Sequence, residues 1–204
     1  MTDTDFLWPS EPIVIVDVEG NGHNPPDLVE LAIAPFPVTE GEQPLSWLIK
    51  PPNRITWQAK RVHGIGNSKV ENSPSWEEIR ADVEQHLQGK WFVAHNASVD
   101  YGVMKRHLPD WTPVGVIDTL KLARHVYPDA KSHSLLALLT MTGLQDEILC
   151  DLHRAGEDAR VTALLLNRLI KDSLSKSWIE VCKIAQLKTQ TDEQAPAPEQ
   201  GSLW

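Results

Sequence analysis

Asp17 and Glu19 stand two residues apart at the end of the run Ile13-Val14-Ile15-Val16, and this is where residue type and spacing first suggest chemistry. Four consecutive branched apolar residues read as a strand buried on both faces, and a strand sends residues i and i+2 to the same side. The two carboxylates therefore project together, their Cα atoms about 6.6 Å apart at about 3.3 Å per residue. Such a pair suits one or two divalent cations, because two bare charges at this separation repel. Asp100 follows the buried run 91–94 and the segment His95-Asn96-Ala97-Ser98-Val99, in the first turn of a predicted helix. Asp158 falls in the opening turns of a long amphipathic helix marked by Val161, Leu164, Leu165 and Leu169 at helical spacing. His153 precedes it by five residues, about 500° around an ideal helix, and so belongs on the loop entering that helix. From a loop, an imidazole can reach a bound water while Asp158 stays fixed. Taken singly, each residue has an ordinary explanation: a strand running into solvent, a first-turn acid favoured by the helix dipole, an exposed loop histidine.

The elements that must bring these groups together follow from periodicity and turn residues. With 204 residues and 41% hydrophobic content, the chain can bury one core of mixed architecture. Strands are expected over 28–38 and 45–49, forming an antiparallel meander with the first, and over 91–94 and 114–117. Helices are expected over 56–62, 75–87 with a capping box from Ser75 and Glu78, from a first turn that holds Asp100 through Met104 and Leu108, 122–126, 134–142 and from opening turns that hold Asp158. Residues 1–11 read as an N-terminal extension, 12–187 as the folded domain and 188–204 as a disordered tail, polar and broken by proline. The two cysteines, Cys150 and Cys182, point to a reducing compartment rather than a disulfide framework. The opening residues lack the order of a signal peptide, and no apolar run approaches the roughly 20 residues of a membrane span. A cytoplasmic protein without membrane attachment is expected.

A net charge of -9 disfavours tight binding of long nucleic acids, but the charge is unevenly spread. Residues 1–59 carry nine acids against two bases, whereas residues 60–133 carry ten bases against nine acids. Lys60-Arg61, Lys105-Arg106-His107 and the set Lys121, Arg124, His125, Lys131 and His133 are therefore candidates to meet phosphates, although most are equally well read as solvated helix faces.

The set Asp17-x-Glu19, His95-Asn96-Ala97-Ser98-Val99-Asp100 and His153-x-x-x-x-Asp158 resembles, in order and spacing, the three signature segments of the DEDDh 3'-5' exonucleases. The resemblance covers about residues 12–172. It implies an α/β ribonuclease H-like fold, with a mixed central β-sheet flanked by α-helices. It makes Asp17, Glu19, Asp100 and Asp158 the metal-binding acids, His153 the general base, and Gly20, Asn21, Gly22, His63 and Asn96 the substrate-binding residues. The implied cofactors are two divalent cations, Mg2+ or Mn2+, about 3.5 to 4 Å apart in such sites. Asp17 would bridge both, Glu19 and Asp158 would complete the ion carrying the attacking water, and Asp100 would support the second. The implied partners are 3' ends of DNA or RNA.

One segment departs from the family. Its usual text after the first acid is Thr-Glu-Thr-Thr-Gly or close to it, whereas this chain reads Val18-Glu19-Gly20-Asn21-Gly22. The hydroxyls are gone, and a Gly-Asn-Gly loop is expected to be more mobile. Two other functions remain open at this point: a metal-dependent phosphodiesterase of very short oligonucleotides, favoured by the acidic balance, and a catalytically silent nucleic-acid-binding module. At the end of the tail, the pattern from Gln200 to Leu203 and Trp204 resembles the short peptides that dock bacterial replication proteins on the sliding clamp.

Overall fold

The computed structural model describes residues 6–39, 41–150 and 152–189. Strand β1 (Ile13–Gly20) is the middle of a five-stranded sheet ordered β3-β2-β1-β4-β5, with β2 (Leu28–Phe36), β3 (Leu45–Leu48), β4 (Trp91–Ala94) and β5 (Gly115–Asp118). The pairs β1–β2 and β2–β3 are antiparallel, as the meander requires, while β1–β4 and β4–β5 are parallel. The sheet is therefore mixed. Alternation along β1 sends Ile13 and Ile15 into one core and Val14 and Val16 into the other, so both faces are covered.

Helices fill both faces. Helix α2 (Trp76–Leu87) and helix α3 (Ala97–His107) cover the Val14 side, and α4 (Thr119–Val126), α5 (Leu135–Met141), α6 (Ala155–Asp172) and α7 (Trp178–Ala185) cover the Ile13 side. Helix α1 (Trp57–His63) lies beside the β1–β2 loop. The capping box of α2 is formed, with the Ser75 N–H donating to the Glu78 carboxylate at 2.6 Å.

The register creates the site. Strand β4 pairs with β1 only over Ile13–Ile15, whereas β2 follows β1 to its end, setting Asp17 opposite Ala32 and Glu19 opposite Glu30. Beyond Ile15 the β4 side of β1 is bare, and the N-terminus of α3 occupies that space.

Several boundaries differ from expectation. β2 stops at Phe36 rather than residue 38, because Pro37 and the turn after it cannot continue the ladder. Residues 6–12 are tied to the domain: the Leu7 N–H donates to Lys176 O at 3.0 Å, the Trp178 N–H donates to Leu7 O at 2.9 Å, and the Trp8 ring packs against Phe6, Phe36 and Trp178. Among the described residues no helix is long and apolar enough to cross a membrane. The tail from residue 190, with Gln200, Leu203 and Trp204, lies outside the described residues.

The parallel edge offers a direct test of packing. A Cβ built on Gly115 would lie 2.3 Å from the Trp91 ring across the β4–β5 pair. Gly115→Ala should therefore destabilise the domain by about 1–3 kcal/mol. A urea unfolding midpoint equal to the parent's would show that Trp91 does not fill this space.

Candidate active site

Each acidic side chain arrives from a different constraint. Asp17 and Glu19 share the α6 side of β1, because strand alternation places them in line with Ile13 and Ile15. Asp158 reaches them from the first turn of α6, which packs on β1 and β2. Asp100 comes from the first turn of α3 and accepts the Val18 N–H at 3.1 Å, which attaches this helix to the bare edge of β1. His153 precedes α6 in left-handed backbone (φ 64°), and its own N–H donates to both oxygens of Asp158 at 3.2 Å. Ligand atoms of Glu19, His153 and Asp158 all lie within 4.8 Å of one another.

Burial and mutual repulsion set the electrostatics. Burial, reinforced by Asp100, Asp158 and Glu19, holds the Asp17 carboxyl well above the usual carboxylate range. Glu19 is pushed up to about 8 by burial and then by Asp158, Glu30 and Asp100. Burial carries Asp100 to about 7 against the opposing Val18 hydrogen bond, and Asp158 to about 6 against the His153 N–H. Among the described residues none of the four is in a salt bridge. The donors are hard oxygens that resist carrying charge without a counter-ion, so they fit a hard divalent cation.

Two residues that sequence reading passed over hold the His153 loop. Glu30, buried on β2, accepts Arg154 Nε at 3.1 Å and Nη2 at 2.5 Å, and also the Ala155 N–H at 3.0 Å. This ion pair joins residues 124 apart in sequence, and no local pattern could announce it. An acid in the middle of an apolar strand was the available signal.

The loop after Glu19 corrects an expectation. Asn21 is fully buried; its amide donates to Asp27 Oδ2 at 2.7 Å, and its Oδ1 accepts the N–H groups of His23 and Asp27. Its carbonyl accepts the Thr56 N–H at 2.9 Å. At Gly22 (φ 84°) a Cβ would fall 2.2 Å from Thr56 Oγ1, so glycine here permits close packing against α1 rather than motion. His63 is also buried. Its Nδ1 accepts the Ile65 N–H, which leaves the proton on Nε2 to donate to Gly20 O at 3.2 Å, and burial lowers its pKa to favour that neutral ring. Asn21 and His63, both expected among the substrate-binding residues, engage their side-chain polar atoms inside the protein, and His63 holds the Gly20 carbonyl.

Asn96, in left-handed backbone (φ 68°), caps α3 and lines the cleft; its N–H donates to Asp118 Oδ1 at 3.0 Å. The cleft occupies about 540 Å3 and is lined by Asp17, His153 and Asp158 together with Arg124, Lys131 and His133. His95 also lines it and donates Nε2–H to His133 O at 2.9 Å, a positioning bond that the His95-Asn96 segment alone did not reveal.

Residues 14–166 match the RNase T family model, described as Exonuclease. The chain is similar to the 3'-5' exonuclease DinG of Bacillus subtilis (strain 168), with 30% identity over 168 residues, covering 78% of this chain and 17% of DinG. It thus spans less than a fifth of the length of the first curated relatives it matches. Exonuclease X, solved in complex with 5' overhanging duplex DNA, is similar at 34% identity and a TM-score of 0.64, covering 79% of this chain and 92% of that one. The nuclease domain of 3'hExo, a DEDDh family member solved with rAMP, shares the fold at 14% identity and a TM-score of 0.66, covering 87% and 96%. The mixed sheet with helices on both faces is the ribonuclease H-like arrangement of these domains.

The acid cluster makes stability depend on pH and cations. Glu19 titrates near 4.5 ordinarily and near 8 in the fold, so between these values the folded state keeps a proton that the unfolded chain has lost. Raising pH through that window therefore withdraws stability. In EDTA the melting temperature should fall from pH 5 to pH 8, by about 2–4 °C for each 1 kcal/mol of linkage. Mg2+ should restore more at pH 8 than at pH 5, since ionised carboxylates bind it. An equal Mg2+ effect at both values would remove the acids as its ligands.

Proposed function

The chain belongs to the DEDDh family of 3'-5' exonucleases, and from that premise we propose that it removes nucleotides one at a time from nucleic acid 3' ends, releasing nucleoside 5'-monophosphates. The observation that carries this reading is the convergence of two half-buried and two buried carboxylates, none of them in an ion pair among the described residues, with one exposed histidine that lines the same cleft.

Asp17, Glu19, Asp100 and Asp158 would hold the cations. When bound, two divalent ions supply positive charge that offsets the phosphate and favours ionisation of the attacking water. The chain's own residues do the rest. His153 accepts the water proton as the water oxygen bonds to phosphorus; the bond to the 3' oxygen breaks, and that oxygen leaves with the electron pair and takes up a proton from solvent. Its backbone bond to Asp158 keeps the imidazole beside the acids while the ring stays exposed. Glu30 and Arg154 fix the loop that carries it. Gly20, held by His63, and Gly22, packed on Thr56, form the rim next to Glu19 that a terminal nucleotide would meet. The DNA-bound relative at 34% identity supports a DNA 3' end as the substrate.

With Mg2+, a 5'-labelled single strand of about 30 nucleotides, long enough to reach past the site, should yield a ladder shortening from its 3' end. An intact strand beside degraded dinucleotides would favour a phosphodiesterase of short oligonucleotides instead. Asp17→Asn should abolish this activity while melting at or above the temperature of the metal-free parent, because it removes charge from a crowded cluster. His153→Ala should lower kcat by about 10²- to 10⁴-fold. Parental kcat in either variant would overturn the role assigned to that residue.

A further inference from the structure

One part of the cleft wall takes no part in the chemistry above. Arg124 comes from α4, and Lys131, Ser132 and His133 come from the turn that follows it; all four line the same cleft as Asp17, His153 and Asp158. Arg124 and Lys131 are exposed, and among the described residues neither makes a hydrogen bond or an ion pair.

Three other guanidinium groups are paired with carboxylates: Arg154 with Glu30, Arg160 with Glu157, and Arg168 with Asp172. Some bases of the middle segment are engaged by backbone carbonyls. Lys105 caps the carbonyls of Pro109 and Trp111, Lys121 bonds Gln186 O, and Arg106 bonds Pro26 O. Arg124 and Lys131 stay unpaired although they share one cleft with an acid cluster, so they do not serve to neutralise it directly.

The turn that carries Lys131 is nevertheless built. The His133 Nε2–H donates to Tyr127 O at 2.9 Å and closes the turn on itself. His95 then holds His133 O, with Thr119 Oγ1 against its other ring nitrogen at 2.9 Å. Two imidazoles thus hold the backbone beside Lys131 in place, in the cleft that the reacting groups line.

We propose that this wall binds the phosphates of a polynucleotide strand behind its reacting 3' end, so that the cleft is built for a polymer and not for a lone nucleotide or dinucleotide. The proposal rests on the exonuclease reading. A guanidinium and an ammonium can each take a backbone phosphate and carry no base preference, which suits an enzyme that must accept each new end. They also provide local positive charge that the overall balance of -9 lacks.

The test is the salt dependence of binding by the full chain, measured by fluorescence anisotropy with a labelled single strand of about 30 nucleotides in EDTA. Each phosphate contact on a single strand contributes about 0.7 to the slope of log K against log salt. Arg124→Ala/Lys131→Ala should therefore flatten the slope by about 1.4, and each single variant by about half of that. Arg124→Lys/Lys131→Arg should keep the parent's slope. A double variant with the parent's slope, or a parent with no measurable binding, overturns the proposal. The 3'-end ladder reports separately on the exonuclease reading: a parent that digests the strand while the double variant keeps its slope would sink the wall alone.

Discussion

Four carboxylates at the end of one strand repel each other, and burial makes that repulsion costly because little water remains to screen it. The rest of the molecule is arranged around this crowding. β1 outruns β4 by several residues, which leaves an edge for α3 to deliver Asp100, and α6 crosses the sheet so that its first turn delivers Asp158. Such a cluster is tolerated only with protons or cations in it. A fold that maximised its own stability would not assemble it, and its presence marks where stability has been yielded to binding.

Positioning around the cluster falls largely to histidine. His63 holds Gly20 O, His95 holds His133 O, and His133 holds Tyr127 O, each by a ring N–H to a backbone carbonyl. Burial keeps the first two neutral, the state with one donor and one acceptor that their partners require. His153 differs: its backbone is fixed through Asp158 while its ring is exposed. One residue type therefore serves both as internal strut and as proposed proton acceptor, and local burial decides which.

The loop after Glu19 shows how composition can mislead. Gly20-Asn21-Gly22 read as mobile because glycine permits many conformations, yet each residue is pinned: Gly20 by His63, Asn21 by Asp27 and Thr56, Gly22 by the close approach of α1. Residues 6–11 show the same in a different setting. Read as part of an extension, they are docked through Leu7 and Trp8 onto a segment some 170 residues away in sequence.

The sequence by itself determined the strands and helices that carry the acids, the shared face of Asp17 and Glu19, and the loop position of His153. These depend on periodicity and spacing within a few residues, and such short-range geometry survives in any fold that keeps the element. Only the tertiary structure decided that Glu30 pairs with Arg154, that Asn21 and His63 turn inward, and that Arg124 and Lys131 stand unpaired in the cleft that the acids line. Hydrogen-bond partners and the loss of water around a charge arise where distant segments meet, and nothing local in the chain records that meeting.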